Sequence, residues 1–360
     1  MKRSESPRRS RNRDTSTLTL RLWEFAGNGL LNLFIWITLV VYLFPLSYML
    51  ITSVKTSAQM RDSKSPIWPA RAVTFNYNGT ALLVYKVPTP SGVQHWALEQ
   101  PHITYSLFVD PAKPQAGLIR WDGYWGSLTL VYLPSVTLEN FVTLWQTFNY
   151  PNLLRNTLFV IALGEIGVLF SSIMVAYGFA RFRIPGGKFL FFLLIGTIMI
   201  PDSITLVPTF VLFGRVLNWT GTFYPLLVPQ FFGSAIYIFL LRQNFKTIPR
   251  DLDEAAMLDG AGPLRTLVSV ILPQSIPTVV TVALLHFFNA WNELKMASLY
   301  LGVRPDLQTI AFSTQTTQSV GTTTEGLQAA ALLLMLIPLV VLFLSQRFFM
   351  QDMVIANVEK

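Results

Sequence analysis

Leu153-Leu154-Arg155-Asn156-Thr157-Leu158-Phe159-Val160-Ile161-Ala162-Leu163-Gly164-Glu165-Ile166-Gly167-Val168-Leu169-Phe170-Ser171-Ser172-Ile173-Met174-Val175-Ala176-Tyr177-Gly178-Phe179-Ala180 is the stretch on which the fold turns. A bilayer core of about 30 Å is crossed by roughly 20 apolar residues in a helix, and this run is longer than that. Working outward, Gly29–Ile51, Phe189–Phe213, Phe223–Leu241, Ile276–Leu299 and Leu327–Phe349 have the same character. Hydrocarbon leaves unpaired backbone groups unsatisfied, so such runs must be helices rather than open sheet. The sequence therefore predicts an all-α polytopic membrane protein with six spans.

Composition agrees. Apolar residues make up 52% of the 360 and charged residues only 13%, about half the charged share of a soluble domain. The net charge of +8 would suggest nucleic acid in a soluble protein; in a membrane protein it marks the side on which basic loops lie. No nucleic-acid partner is expected. Cysteine is absent, which excludes disulfides, thiolate metal sites and cysteine nucleophiles. The first apolar run is about twice a signal-peptide core and lacks a small-residue cleavage site, so it reads as a retained anchor.

Charge sets the expected orientation. The N-terminal tail carries Lys2, Arg3, Arg8, Arg9, Arg11 and Arg13. Arg181, Arg183 and Lys188 crowd the second-to-third connection, and Arg242, Lys246, Arg250 and Arg265 the fourth-to-fifth. The alternate connections hold Arg215, Lys295 and Arg304. Basic connections stay in the cytoplasm, so both termini are expected inside. Between the first two spans lies a long segment rich in Pro, Trp, Tyr, Thr and Val. Its runs at 81–85, 102–109 and 127–132 read as short strands of a small β-rich module on the outer face. The organisation expected is a cytoplasmic basic tail over 1–28, a first span over 29–51 and an extracytoplasmic β-rich insertion over 52–150. A five-span core over 151–349 and a cytoplasmic tail over 350–360 follow.

The fourth-to-fifth connection, 247–273, contains Ile248-Pro249-Arg250-Asp251-Leu252-Asp253-Glu254-Ala255-Ala256-Met257-Leu258-Asp259-Gly260. Pro249 suits a first helical position. Asp251, Asp253 and Glu254 complement the helix dipole in the opening turns, and Gly260 suits a left-handed ending. Leu252, Ala255, Ala256 and Asp259 share one face, mostly of small side chains that let another backbone approach. A second short helix, Pro263 to Leu272, is expected to end at Pro273, with Leu264, Leu267, Val268 and Ile271 as its apolar stripe. Physics alone leaves an interfacial amphipathic helix as an equal alternative.

Glu254-Ala255-Ala256, then Gly260, then Val270-Ile271-Leu272-Pro273 resemble the EAA loop of binding-protein-dependent ABC importer permeases. Asn140-Phe141, Asn156-Thr157, Ala176-Tyr177-Gly178-Phe179-Ala180-Arg181-Phe182-Arg183-Ile184-Pro185-Gly186-Gly187, Met199-Ile200-Pro201, Leu241-Arg242-Gln243-Asn244-Phe245 and Trp291-Asn292-Glu293 extend the match. Together they are similar to the carbohydrate-uptake branch, the maltose-permease MalG-like subunits, over about 137–349. The segment 66–134 is longer than that branch usually has, and the ending Gln351–Lys360 lacks its glycine-rich basic tail. The resemblance implies a type I importer permease in a bacterial inner membrane, paired with a second permease, a dimer of ABC ATPases and an extracytoplasmic solute-binding protein. It implies that Asp251, Glu254, Ala255, Ala256, Asp259, Gly260 and Pro273 form the ATPase-coupling loop, with the attached fourth and fifth spans moving as rigid bodies.

No catalytic site or cofactor is expected. Gly186-Gly187-Lys188-Phe189 has neither the spacing nor the hydroxyl of a phosphate-binding loop. Candidate pathway residues are Asn289, Trp291, Asn292 and Glu293, where amides and an aromatic suit sugar hydroxyls and ring faces, and Asp202, an acid after Pro201. Trp is equally an interface anchor. For Asp202 and Glu165 a helix contact or an interfacial charge is the competing reading, and His286 reads as packed or hydrogen-bonded. Asn78-Gly79-Thr80 matches a glycosylation sequon and is taken as chance. A permease for a non-sugar solute and a membrane-bound ligand sensor are the rival functions.

Overall fold

Pro201 and Ser275 shape the helical part of the chain: Pro201 interrupts an expected straight span, and Ser275 marks the bend at which the expected fifth span begins. In a computed structural model, backbone is described for residues 13–147, 149–319 and 323–358, and side chains for 28–146, 149–315 and 323–348. The basic residues Lys2 to Arg11 of the tail lie outside these. The chain forms two compact units, Met1–Lys55 with Lys64–Ser135, and Thr56–Ser63 with Val136–Lys360.

In the first unit, α1 (Arg13–Ser53) holds an apolar section from Asn28 to Ser53, so part of the expected basic tail is already helical. Eight strands follow: β1 (Ala70–Ala72), β2 (Thr74–Tyr77), β3 (Thr80–Thr89), β4 (Gly92–Pro101), β5 (Tyr105–Val109), β6 (Ile119–Asp122), β7 (Thr129–Leu130) and β8 (Tyr132–Pro134). The order β2-β3-β4-β5-β6, with β7 also on β3, makes one antiparallel sheet; β1 and β8 pair separately. Alternation along β3 gives it two packed faces. Tyr85, Val87, Phe108 and Leu128 form one core with Trp96, Trp121 and Trp125, and Leu82, Val84 and Ala97 form the other with Phe75 and Val131. Asn78 and Gly79, at φ 50° and 84°, make the two-residue turn of the β2–β3 hairpin that only such residues adopt easily. The sequon therefore has a structural reason to be there. This β module runs from Ala70 to Pro134 and is narrower than the 52–150 segment expected.

The second unit contains α2 (Ser57–Arg61), α3 (Glu139–Thr147) and α4 (Tyr150–Arg181). Next come α5 (Gly187–Ile198), α6 (Asp202–Phe210, continued by a π-helical turn to Val216), α7 (Tyr224–Leu227) and α8 (Ala235–Thr247). After α9 (Asp251–Leu258) and α10 (Pro263–Thr266), a π-helical stretch Leu267–Ile271 joins α11 (Leu272–Gln274). The remainder is α12 (Ile276–Trp291), α13 (Lys295–Leu301), α14 (Ile310–Ser319) and α15 (Thr324–Val358). Helix α15 runs through most of the expected 350–360 tail.

Among the described residues, four sections are long and apolar enough to span a membrane unaided: Asn28–Ser53, Tyr150–Arg181, Tyr224–Thr247 and Thr324–Phe348. The expected third span is instead a pair, Gly187–Ile198 and Asp202–Val216, bent by 90°. Proline disfavours helical backbone in the residue before it, and Pro201 sits extended at the start of α6. The expected fifth span ends at Trp291 rather than Leu299, and its 276–291 helix is bent by 83° from 263–274.

Helix α4 is the pillar of this unit. Val168, Ala176, Tyr177 and Ala180 pack with Tyr237, Ile238, Leu241, Phe245, Leu267 and Ile271. Tyr150, Leu153 and Ile161 pack with Phe287, Trp291 and Ile310, and Val160 with Leu226, Tyr300 and Leu301. Small residues permit this closeness: a Cβ on Gly167 would stand 2.8 Å from the Phe231 ring.

Candidate coupling surface and polar cleft

The connection from α8 to α12 builds a capped, outward-facing helix. Arg250 occupies the N-cap, so α9 starts at Asp251, two places later than Pro249 as the first helical residue implies, and Asp251, Asp253 and Glu254 fill its first turn. At its end Gly260 has φ 77°; its N–H donates to Met257 O at 3.0 Å and Ala261 N–H to Ala256 O at 2.9 Å. That is the Schellman pairing, which satisfies two orphan carbonyls and calls for a left-handed residue. Asp251, Leu252, Glu254, Ala255, Asp259 and Gly260 are exposed and Ala256 is half-buried. Two residues that sequence reasoning passed over are the most prominent apolar groups: Leu258 is 90% exposed and Met257 59%. They follow the small-residue face at the turn, where an apolar pair ending a short helix is the available signal.

Beyond Gly262, only part of the expected pattern holds. Leu267 and Ile271 are buried while Leu264 and Val268 are exposed. Pro273 does not close the helix, which continues to Gln274. The π-helical turn before it explains this: Leu272 N–H reaches Leu267 O five residues back, a wider winding that absorbs a residue without an N–H.

Asp253 points the other way and is buried. Its Oδ2 lies 2.9 Å from Arg181 Nε, with side-chain exposures of 7% for Arg181 and 12% for Asp253. Neither Nε nor Asp253 Oδ1 has an aligned hydrogen-bond partner among the described residues, so the pair is an ion contact. Arg181 Nη2 also donates to Ile248 O at 3.1 Å, and the Tyr177 hydroxyl donates to Pro263 O at 3.1 Å.

A second feature lies where α12 ends. Asn289, Asn292, Glu293, Lys295, Ser298 and Gln315 line a polar cleft of about 770 Å³. Asn289 Nδ2 donates to the Tyr237 hydroxyl at 3.2 Å, Asn292 Nδ2 to Phe288 O at 2.8 Å, and Glu293 Oε1 accepts from Met296 N–H at 2.8 Å. Asp202, at the start of α6, lies at the edge of this group, its Oδ2 3.9 Å from Lys295 Nζ. Trp291 is the exception among the candidate pathway residues. It is 2% exposed and stacks on Phe287 with ring centroids 5.8 Å apart, because successive helical residues turn by about 100° and its face is the packed one. Deeper on α12, buried His286 Nδ1 lies 2.7 Å from Glu165 Oε2, so these two form a helix–helix contact.

A multi-helix chain with interrupted spans, a small capped helix held outside its core and a polar cleft is the architecture of a membrane transport component. Residues 167–355, just over half the chain, match the family described as the binding-protein-dependent transport system inner membrane component, and the chain belongs to that family. It is 28% identical over 260 residues to the osmoprotective compounds uptake permease protein GgtD of Synechocystis sp., covering 70% of this chain and 85% of that one. To the trehalose/maltose transport system permease protein MalG of Thermococcus litoralis it is 34% identical over 167 residues, 46% of this chain and 60% of that one. The fold matches a chain in the crystal structure of a bacterial ABC transporter involved in the import of the acidic polysaccharide alginate. There the TM-score is 0.61 at 18% identity, over 96% of this chain and all of that one. The protein is thus a permease component with the type I ABC permease fold, mostly helical and carrying a β-rich insertion.

Proposed function

We propose that this chain is the membrane-spanning subunit of an ATP-driven importer for a sugar or related carbohydrate. It passes substrate from an external binding protein through a path shared with a second permease. Each bent pair contributes one span, the second through its Ile276–Trp291 arm, giving six, with both termini and the α8–α12 loop in the cytoplasm. ATP is hydrolysed on a separate ATPase dimer that docks on α9. The observation that carries the reading is α9 itself: Leu258, Met257, Ala255 and Glu254 are exposed together on a helix fixed by the left-handed Gly260, a surface prepared for a partner. An exposed ion pair from Glu254 adds only about 0–1 kcal/mol, so shape and apolar contact supply the docking. The cleft of Asn289, Asn292 and Glu293, with Asp202 beside it, is the pathway, and Trp291 supports it from behind. Relatives named for trehalose/maltose and alpha-glucoside transport support the carbohydrate class.

Space around Gly260 is open, so a side chain there meets no atom of this chain, and only the backbone and the partner object. Gly260→Leu is expected to abolish copurification of the ATPase and ATP-driven maltose or trehalose uptake in proteoliposomes. Gly260→Asn, which tolerates left-handed backbone, retains both in part. If Gly260→Leu left assembly and uptake intact, the docking assignment would be wrong.

A further inference from the structure

Covalent connection suggests that a push on α9 travels along the chain into α8 and α12. The packing says otherwise. On the α12 side the route passes through Gly260-Ala261-Gly262, a π-helical stretch and the 83° break at Ser275; on the α8 side it passes through the non-helical Ile248-Pro249. Sideways, the last turn of α4 grips the loop at three places. Arg181 holds Ile248 O before α9 and Asp253 within it, and Tyr177 holds Pro263 O after it. Helix α4 in turn packs into three hydrophobic clusters formed by the described residues of the unit.

We infer that Arg181, Asp253 and Tyr177 are positioning residues that make α9 a rigid appendage of α4, so that motion of a docked ATPase enters the permease laterally through α4. The inference rests on the reading of α9 as the docking helix. A buried ion pair suits this role because removing one partner leaves an uncompensated charge and the contact therefore resists separation. The second anchor, on two backbone carbonyls, fixes the angle of α9 as well as its distance.

The absence of cysteine from the chain makes introduced cysteines the sole label sites on it. Spin labels at exposed Ile166 and exposed Arg250 report α4 against α9, with roughly 22 Å of helix between Ile166 and Arg181. Labels at Arg250 and Leu285 report α9 against α12. The measurement is pulsed dipolar spectroscopy on the complete transporter with cysteine-free partners, without nucleotide and trapped with ATP and vanadate.

The expected result is an Ile166–Arg250 separation that stays constant through the cycle while Arg250–Leu285 shifts. Arg181→Gln or Asp253→Asn roughly doubles the width of the Ile166–Arg250 distribution, and the exchange Arg181→Asp with Asp253→Arg narrows it again. Tyr177→Phe, which removes one hydroxyl and keeps the packing, broadens it less and serves if the charge variants do not assemble. An unchanged width in these variants, or a wild-type Ile166–Arg250 separation that shifts as much as Arg250–Leu285, overturns the inference. Copurification of the ATPase separates the two failures. If it accompanies the wild type while the distances disagree, the clamp alone is wrong; if it never accompanies the wild type, the docking reading falls and the clamp's transmitting role with it.

Discussion

The two ends of α4 are both tied to neighbouring loops, and by different chemistry. At its beginning the ties are neutral. Asn152 Nδ2 and Asn156 Nδ2 each donate to Asp306 O at 2.8 Å, Asn156 Nδ2 also to Gln308 O at 3.1 Å, and Thr157 Oγ1 accepts Ile310 N–H at 2.9 Å. At its far end the ties are the buried Arg181–Asp253 pair and the Tyr177 hydroxyl. Neutral bonds to carbonyls fix a loop in place, each with a net contribution of about 0.5–1.5 kcal/mol. A buried ion pair gives little net stability over an apolar pair, yet one-sided loss is severe. The difference suggests that one end orients the loop after α13 while the other is built against load.

The sharpest way to break this comparison is to remove one charge. Arg181→Met or Asp253→Leu is expected to cost about 3–5 kcal/mol, read as thermal unfolding of the purified permease. The double substitution recovers most of that loss, since no unpaired charge remains. Equal melting of the single and double variants would mean that the charges play no part and that the ends are alike. Next in size is Asn156→Leu, which leaves the Asp306 and Gln308 carbonyls without its donor. It is expected to cost about 1–3 kcal/mol, and the same at low and high salt, because neither partner is ionised.

Much of this was readable in the residues, and the unread parts share a cause. The apolar runs placed most helices, and Gly260 ended α9 as its position requires. The break at Pro201 was visible as a proline, while the 90° angle depends on what α5 and α6 pack against. Asn289, Asn292 and Glu293 have the i, i+3, i+4 spacing of one helix face, which leaves Trp291 off it; the cleft keeps that grouping although α12 ends at Trp291. In the β module, Asn78-Gly79 matched a modification motif and a hairpin turn alike, and only pairing partners distinguish them. The clamp was not readable. Arg181 looked like one of several basic loop residues and Asp253 like one of several acids complementing a helix dipole, and nothing local joins positions so far apart in the chain.

The smallest expected effect tests whether charge or burial distinguishes the two ends of α4. Near its neutral end lies an ion pair that takes no part in the clamp: Arg304 donates to both Asp306 carboxylate oxygens, at 2.9 and 2.8 Å, with side-chain exposures of 53% and 57%. The hydrogen bond from Arg304 holds the Asp306 carboxyl below the usual carboxylate range. A carboxyl lowered in this way contributes stability at pH values above its ordinary range and loses it as the pH falls through the lowered value. Water and salt screen so exposed a pair. Arg304→Gln is therefore expected to leave the melting temperature unmoved at pH 7, while the Asp306 carboxyl, followed by NMR, titrates at higher pH than before. If Arg304→Gln instead destabilised the protein as much as Arg181→Met, charge alone would account for the clamp. Burial would then have to be dropped as the property that separates the end of α4 that holds a loop from the end that carries a load.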